Sequence, residues 1–166
     1  MKLKRTFIGC FGMLLLPIIP FIVVTKLNSW RLNQLEADFS TLSHPSSSEL
    51  VARYKAISTF GNANRVDFVV TELRAKTREG QIAEFYKGKT VWGPSRADED
   101  YQQIKNGRQP VDINFLPSPL PANYHVDMGH KGDWNLNFAA GRKGLYLVQI
   151  INYGDNWDLV SMFDLN

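Results

Sequence analysis

The sequence predicts an α+β fold, in which an N-terminal transmembrane helix precedes an amphipathic helix packed on an antiparallel sheet of about six or seven hairpin-linked strands. Three observations predict it. Residues 7–25 form a run without a single charge. A later stretch, from Ser47 to Thr59, carries apolar residues at near-helical spacing. Beyond residue 65, apolar residues alternate with polar ones in short runs broken by Gly, Asn and Asp. The first pattern belongs to a membrane, the second to a helix with one buried face, the third to half-buried strands.

Residues 1–6 hold a basic head of Lys2, Lys4 and Arg5. The uncharged run that follows would span about 28 Å as a helix, close to the hydrocarbon thickness of a bilayer. A helix apolar all round needs partners on every side, which a soluble core of this size does not supply. A cleaved signal peptide is the rival reading. Its core is shorter, roughly 7–15 residues, and small residues follow it, whereas Val23, Val24, Thr25, Lys26 and Leu27 follow here. Cys10 precedes most of the run, so it does not mark a lipid-attachment site. Pro17 and Pro20 are expected to kink the helix, which a bilayer tolerates. Three basic residues before the run, against Lys26 and Arg31 after it, place the N-terminus in the cytoplasm and the remainder outside. The expected partner of residues 7–25 is the lipid bilayer, and the expected location a single-pass membrane position facing the bacterial periplasm or cell surface.

Residues 26–45 read as a juxtamembrane stalk and linker. Leu27, Trp30, Leu35, Phe39 and Leu42 recur at mostly helical spacing, either as a continuation of the anchor or as a stripe packed on the domain. Trp30 stands where an indole would sit at headgroup level. Ser43 to Ser48 is a polar break, and the domain is expected to occupy residues 46–166. Ser46 and Glu49 have capping-box spacing, so Leu50, Tyr54 and Ile57 predict an amphipathic helix over 47–59, stopped by Gly61 and Asn62.

The strands follow. Val66 to Arg74 alternates, with Phe68 and Val70 on one face and Val69 and Leu73 on the other. Residues 77–80 read as a turn into a second strand over Gln81 to Tyr86, and Lys87-Gly88-Lys89 as a turn into Thr90 to Trp92. The polar stretch from Gly93 to Pro110 holds a short helix candidate at 98–104. Val111 to Leu116 is a further strand, and Pro117, Pro119 and Pro121 make the next segment extended, over the surface or along an edge. Trp134 to Phe138, Leu145 to Asn152 and Trp157 to Phe163 close the chain, joined by hairpin-like Gly141 to Gly144 and Gly154 to Asn156.

Charge excludes one class of function. The chain carries a net +3, but three of its 19 Lys and Arg residues precede the run and all 16 Asp and Glu follow it. The remainder is neutral, so the basic excess is a topology signal and not a nucleic-acid footprint. The single cysteine, Cys10, excludes disulfides and thiol chemistry from the domain.

One cluster holds metal-ligand types. On a strand over 124–128, His125 and Asp127 project from one face, and Gly129 can turn His130 toward them. Two imidazoles and a carboxylate suit a zinc-like ion with a bound water, and Asp133 is a candidate base for a hydrolase. The spacing matches no established metal motif. No Gly-x-Ser-x-Gly elbow, phosphate loop or dinucleotide fingerprint occurs, and Glu72 and Glu84 are expected in cross-strand pairs with Lys or Arg. The aromatics Trp134, Tyr146, Tyr153 and Trp157 crowd the last third, a composition suited to a binding surface. The leading expectation is a non-enzymatic, membrane-anchored envelope module that binds another envelope protein or itself, with no favoured cofactor. The alternative is a metal-dependent hydrolase at His125, Asp127 and His130.

Overall fold

A computed structural model describes residues 18–58, 67–75, 79–93, 108–128 and 133–153. Helix α1 (Ile18–Ser40) leads into strands β1 (Glu49–Ser58) and β2 (Asp67–Ala75). Helix α2 (Glu79–Tyr86) follows, then β3 (Thr90–Trp92), β4 (Arg108–Pro110) and β5 (Asp112–Phe115). The ladder β6 (His125–Asp127) and β7 (Asp133–Asn135), a 3-10 turn at Asn137–Ala139 and β8 (Leu145–Tyr153) complete the described chain. The fold is α+β.

The main sheet has the order β1-β2-β8-β5, and each neighbouring pair is antiparallel. β3 pairs with β4, and β6 with β7, in two small separate ladders. β2 and β8 run together from Asp67 opposite Tyr153 to Ala75 opposite Leu145. The expected hairpin between the strands flanking Gly141 to Gly144 does not form. β8 pairs with β2 and β5, both far off in sequence, instead of with β7.

Helix α1 covers one face of the sheet. Asn28, Leu32, Leu35 and Phe39 are buried at intervals of four, three and four, the spacing of one helical stripe. Leu32, Leu35 and Phe39 meet Phe68 and Val70 of β2 and Val148 and Ile150 of β8, with Ile82 and Tyr86 of α2 beside them. Thr41 ends the helix by bonding the Asp38 carbonyl through both its amide and its hydroxyl. Of the two readings of residues 27–42, packing on the sheet is the one the buried stripe follows. The other sheet face is also covered. Leu73, Leu145 and Leu147 pack under Leu116, Leu120, Leu136 and Ala139. The proline-rich segment lies over this face with Pro117, Pro119 and Pro121 exposed and Leu120 inserted. With both faces covered, all but the last residue of β2 is buried.

Two expected elements exchange type. The helix expected over 47–59 is not found over the described residues 47–58, where Glu49–Ser58 is an edge strand. Its exposure alternates, with Arg53 and Lys55 exposed and Tyr54 and Ala56 half-buried. An irregularity between Leu50 and Ala52 breaks the period of two near the start and leaves apolar residues at misleading intervals. Conversely, Gln81 to Tyr86 is not a strand but most of α2. Ile82 and Tyr86 are buried one turn apart with Phe85 beside them, so this segment offers one apolar face to the core. The amphipathic helix on the sheet is therefore α1, with α2 as a short second cover. The expected strand over 134–138 is shorter, ending at Asn135 before the 3-10 turn. The helix candidate at 98–104 and the strand at 157–163 lie outside the described residues.

Candidate functional site

Glu72 stands in the middle of β2 on the face toward α1, with only 1% of its surface exposed. A carboxylate in that position needs compensation. β1 supplies Arg53 directly opposite in register, and its Nε donates to Glu72 Oε1 at 3.0 Å. Arg74, two residues along on the same face, donates from Nη1 to Oε2 at 2.6 Å. The expected pairing of Glu72 with a basic residue across the ladder is what Arg53 provides.

The network extends to α1, α2, β8 and the 41–48 connection. Arg53 Nη1 donates to Ser40 Oγ at 3.2 Å and lies 3.6 Å from Glu36 of α1, which also holds Lys55. Arg74 Nε donates to Ser48 Oγ at 2.7 Å, and Ser48 shares a 2.6 Å hydrogen bond with the Tyr146 hydroxyl. His44 Nε2 lies 3.5 Å from Glu72 Oε2, and its Nδ1 lies 2.7 Å from the Tyr86 hydroxyl.

Electrostatics follow from burial. Desolvation, and next the positive charge of Arg74, hold the His44 imidazole below its ordinary pKa, despite the pull of Glu72. A neutral ring has one N–H to give. Placed on Nε2, that N–H faces the Glu72 carboxylate and leaves Nδ1 to accept from the Tyr86 hydroxyl. Burial, then the neighbouring Tyr146 hydroxyl, push the Tyr86 phenol far above its usual range. The Glu36 carboxyl is held low, first by its hydrogen bond from Lys55.

Serine, histidine and glutamate are all present here, yet they do not form a nucleophile relay. Ser48 Oγ bonds Arg74 and Tyr146, while His44 is turned to Tyr86 and Glu72. A hydroxyl without a base in reach is not activated. What the arrangement does is mechanical: it ties α1, the 41–48 connection, β1, β2, α2 and β8 to one buried charge. Sequence reading placed His44 in a linker and missed this. Its partners are 42 residues away at Tyr86 and 28 away at Glu72, so local pattern carries no signal for it.

The residues expected to carry function fall partly within the described residues. His125 and Asp127 are exposed on one face of β6, and Asp127 faces Asp133 across the ladder. His130 lies outside the described residues. Among the described residues, no three His, Cys, Asp or Glu side chains converge as metal ligands. Tyr146 is a correction: it is fully buried in the core under α1 and belongs to no binding surface. It is buried because β8 is an inner strand, covered by α1 and α2 on that face. Trp134 is half-buried and stacks on Tyr54, with ring centroids 5.4 Å apart. Tyr153 ends β8 and pairs with Asp67 in the ladder, and Trp157 lies outside the described residues. No family model, no curated protein and no solved structure matches this chain.

Proposed function

We propose that this chain is a single-pass, membrane-anchored module whose domain stands outside the cytoplasm and works by binding an envelope component. The observation that supports it is the continuity of α1. The helix starts at Ile18, within the uncharged run, and continues without interruption to Ser40 on the sheet. Among the described residues no helix is by itself long and apolar enough to cross a membrane, and residues 7–17 of the run lie outside them. Ile22, Val23, Leu27 and Trp30 are exposed on α1, immediately before the turns that Leu32, Leu35 and Phe39 bury. Exposed apolar residues interleaved with exposed Thr25, Lys26 and Ser29 suit a membrane interface. In this reading tether and domain share one rigid element of about 35 Å, so the domain is held close against the membrane. Binding is the reading the sequence favours, and the Glu72 network is a structural tie beside it, with Arg53, Arg74 and His44 held on one carboxylate and Ser48 on Arg74.

Topology is tested with an exposed cysteine. Ser46 is exposed on the 41–48 connection, and Cys10 is the only native cysteine. The chain bearing Ser46→Cys should stay with membranes after alkaline washing and react with a membrane-impermeant maleimide in intact cells. Recovery in the washed supernatant would remove the anchor. Labelling only after lysis would put the domain on the cytoplasmic side.

A further inference from the structure

A groove of about 540 Å3 opens between the C-terminal end of α1 and the β3–β4 ladder. Asp38, Thr41 and Ser43 line one side, and Lys89, Trp92 and Arg108 the other. The volume is that of a small-molecule site.

Asp38 is costly where it stands. It lies in the last turn of α1, where helix carbonyls make the potential negative and the turn itself holds no basic residue. Its Oδ2 is shielded from water and has no hydrogen-bond partner. Asp38 as a whole is half-buried and lines the groove, so it would meet a ligand through the rest of its side chain and not through Oδ2. The facing side is held in place. Lys89 Nζ donates to Ser43 Oγ at 2.9 Å and sits 3.5 Å from the Phe85 ring centroid. Arg108 Nε donates to Thr90 Oγ1 at 2.7 Å and Nη2 to the Thr90 carbonyl at 3.1 Å. Trp92 pairs with Arg108 in the ladder and keeps 45% of its surface exposed, a large flat ring in the groove that Lys89 also lines.

The lining selects a class of ligand. Asp38 repels a simple anion, and Lys89 with Arg108 repels a simple cation. An apolar peptide would cover the three charged side chains without offering the remaining N–H groups of Lys89 and Arg108 an acceptor. A sugar ring meets each demand: its hydroxyls donate to a carboxylate and accept from Lys and Arg, and its C–H face lies on an indole. We infer that this groove binds a neutral saccharide, with Trp92 as the stacking platform and Asp38, Lys89 and Arg108 as the polar contacts. The inference deepens the binding reading above and is independent of the anchor.

The test uses the full chain in a detergent without a sugar headgroup, titrated calorimetrically with chitotetraose, cellotetraose and maltotetraose, and with inorganic phosphate. At least one tetrasaccharide should bind, with a Kd on the order of 1 mM or tighter. Trp92→Ala and Asp38→Ala should each weaken it about tenfold, the scale of one stacking or one charged hydrogen-bond contact. Trp92→Phe should keep most of the affinity, and all three variants should melt as cooperatively as the native chain. No binding of any tetrasaccharide would overturn the proposal. So would binding indifferent to Trp92 and Asp38, or binding of phosphate alone. Saccharide binding by a chain that proves unanchored would still support it, whereas an anchored chain that binds none would not.

Discussion

At the scale of single residues, Glu72 decides more than any other described side chain. Glu72→Gln would leave the buried Arg74 without its carboxylate, while Arg53 would keep its approach to Glu36 at 3.6 Å. Breaking such a pair costs about 3–5 kcal/mol, and urea unfolding should show a loss of that size. Glu84→Gln, in an exposed pair with Lys87, should change stability by less than about 1 kcal/mol. His44 sets a pH limit. Its folded pKa lies below the ordinary 6.5, so on acidification the unfolded chain takes up the proton first. The stability His44 contributes is complete above pH 6.5 and is lost as pH falls from there toward its lowered folded pKa. Glu36 adds a second loss in the same direction, below 4.5, because its folded pKa is also depressed. Melting temperature measured against pH should therefore be flat on the neutral side and fall on the acid side. His44→Gln should flatten the first part of the fall and leave the second.

At the scale of elements, what was legible depended on length and on how each face is used. The alternation of Phe68 and Val70 against Val69 and Leu73 predicted β2, and Leu145 to Asn152 predicted β8. Both are inner strands whose side chains strictly alternate between two packed layers. β1 and α2 were not legible. β1 is an edge strand with an irregular register near its start, and α2 has only two turns, too few for a helical period to stand out. Two glycines separate packing from propensity. A Cβ at Gly93, just past β3, would lie 2.3 Å from Nδ2 and 2.9 Å from Cγ of buried Asn152. Gly93→Ala should destabilise by about 1–3 kcal/mol. Gly80, inside α2, has nothing within 4 Å of that position, and Gly80→Ala should stabilise by about 0.5–1 kcal/mol. Thermal unfolding of the two variants should move in opposite directions.

At the scale of the molecule, the chain that looks like a stalk completes the core. Leu35 and Phe39 are fully buried against the sheet, and His44 and Ser48 reach Glu72 and Arg74. A fragment of residues 26–166 should unfold cooperatively. A fragment of residues 46–166 should not, because Phe68, Val70, Val148 and Ile150 would lose their cover. Heat-capacity scans of the two fragments would check this. A cooperative transition in the shorter one would show that α1 is dispensable for folding.

Read alone, the sequence determined what is written locally: an uncharged run of membrane length, an α+β mixture, the two faces of the inner strands and a basic partner for Glu72. These follow from composition and from periods of two residues, which depend only on neighbours in the chain. The tertiary structure decided which helix covers the sheet, and that Tyr146 is core. It also decided that His44 and Ser48 join a buried charge. Those outcomes depend on which distant face a segment meets, and the free energy of burying a ring or a carboxylate is set by that partner and not by the residues beside it in sequence.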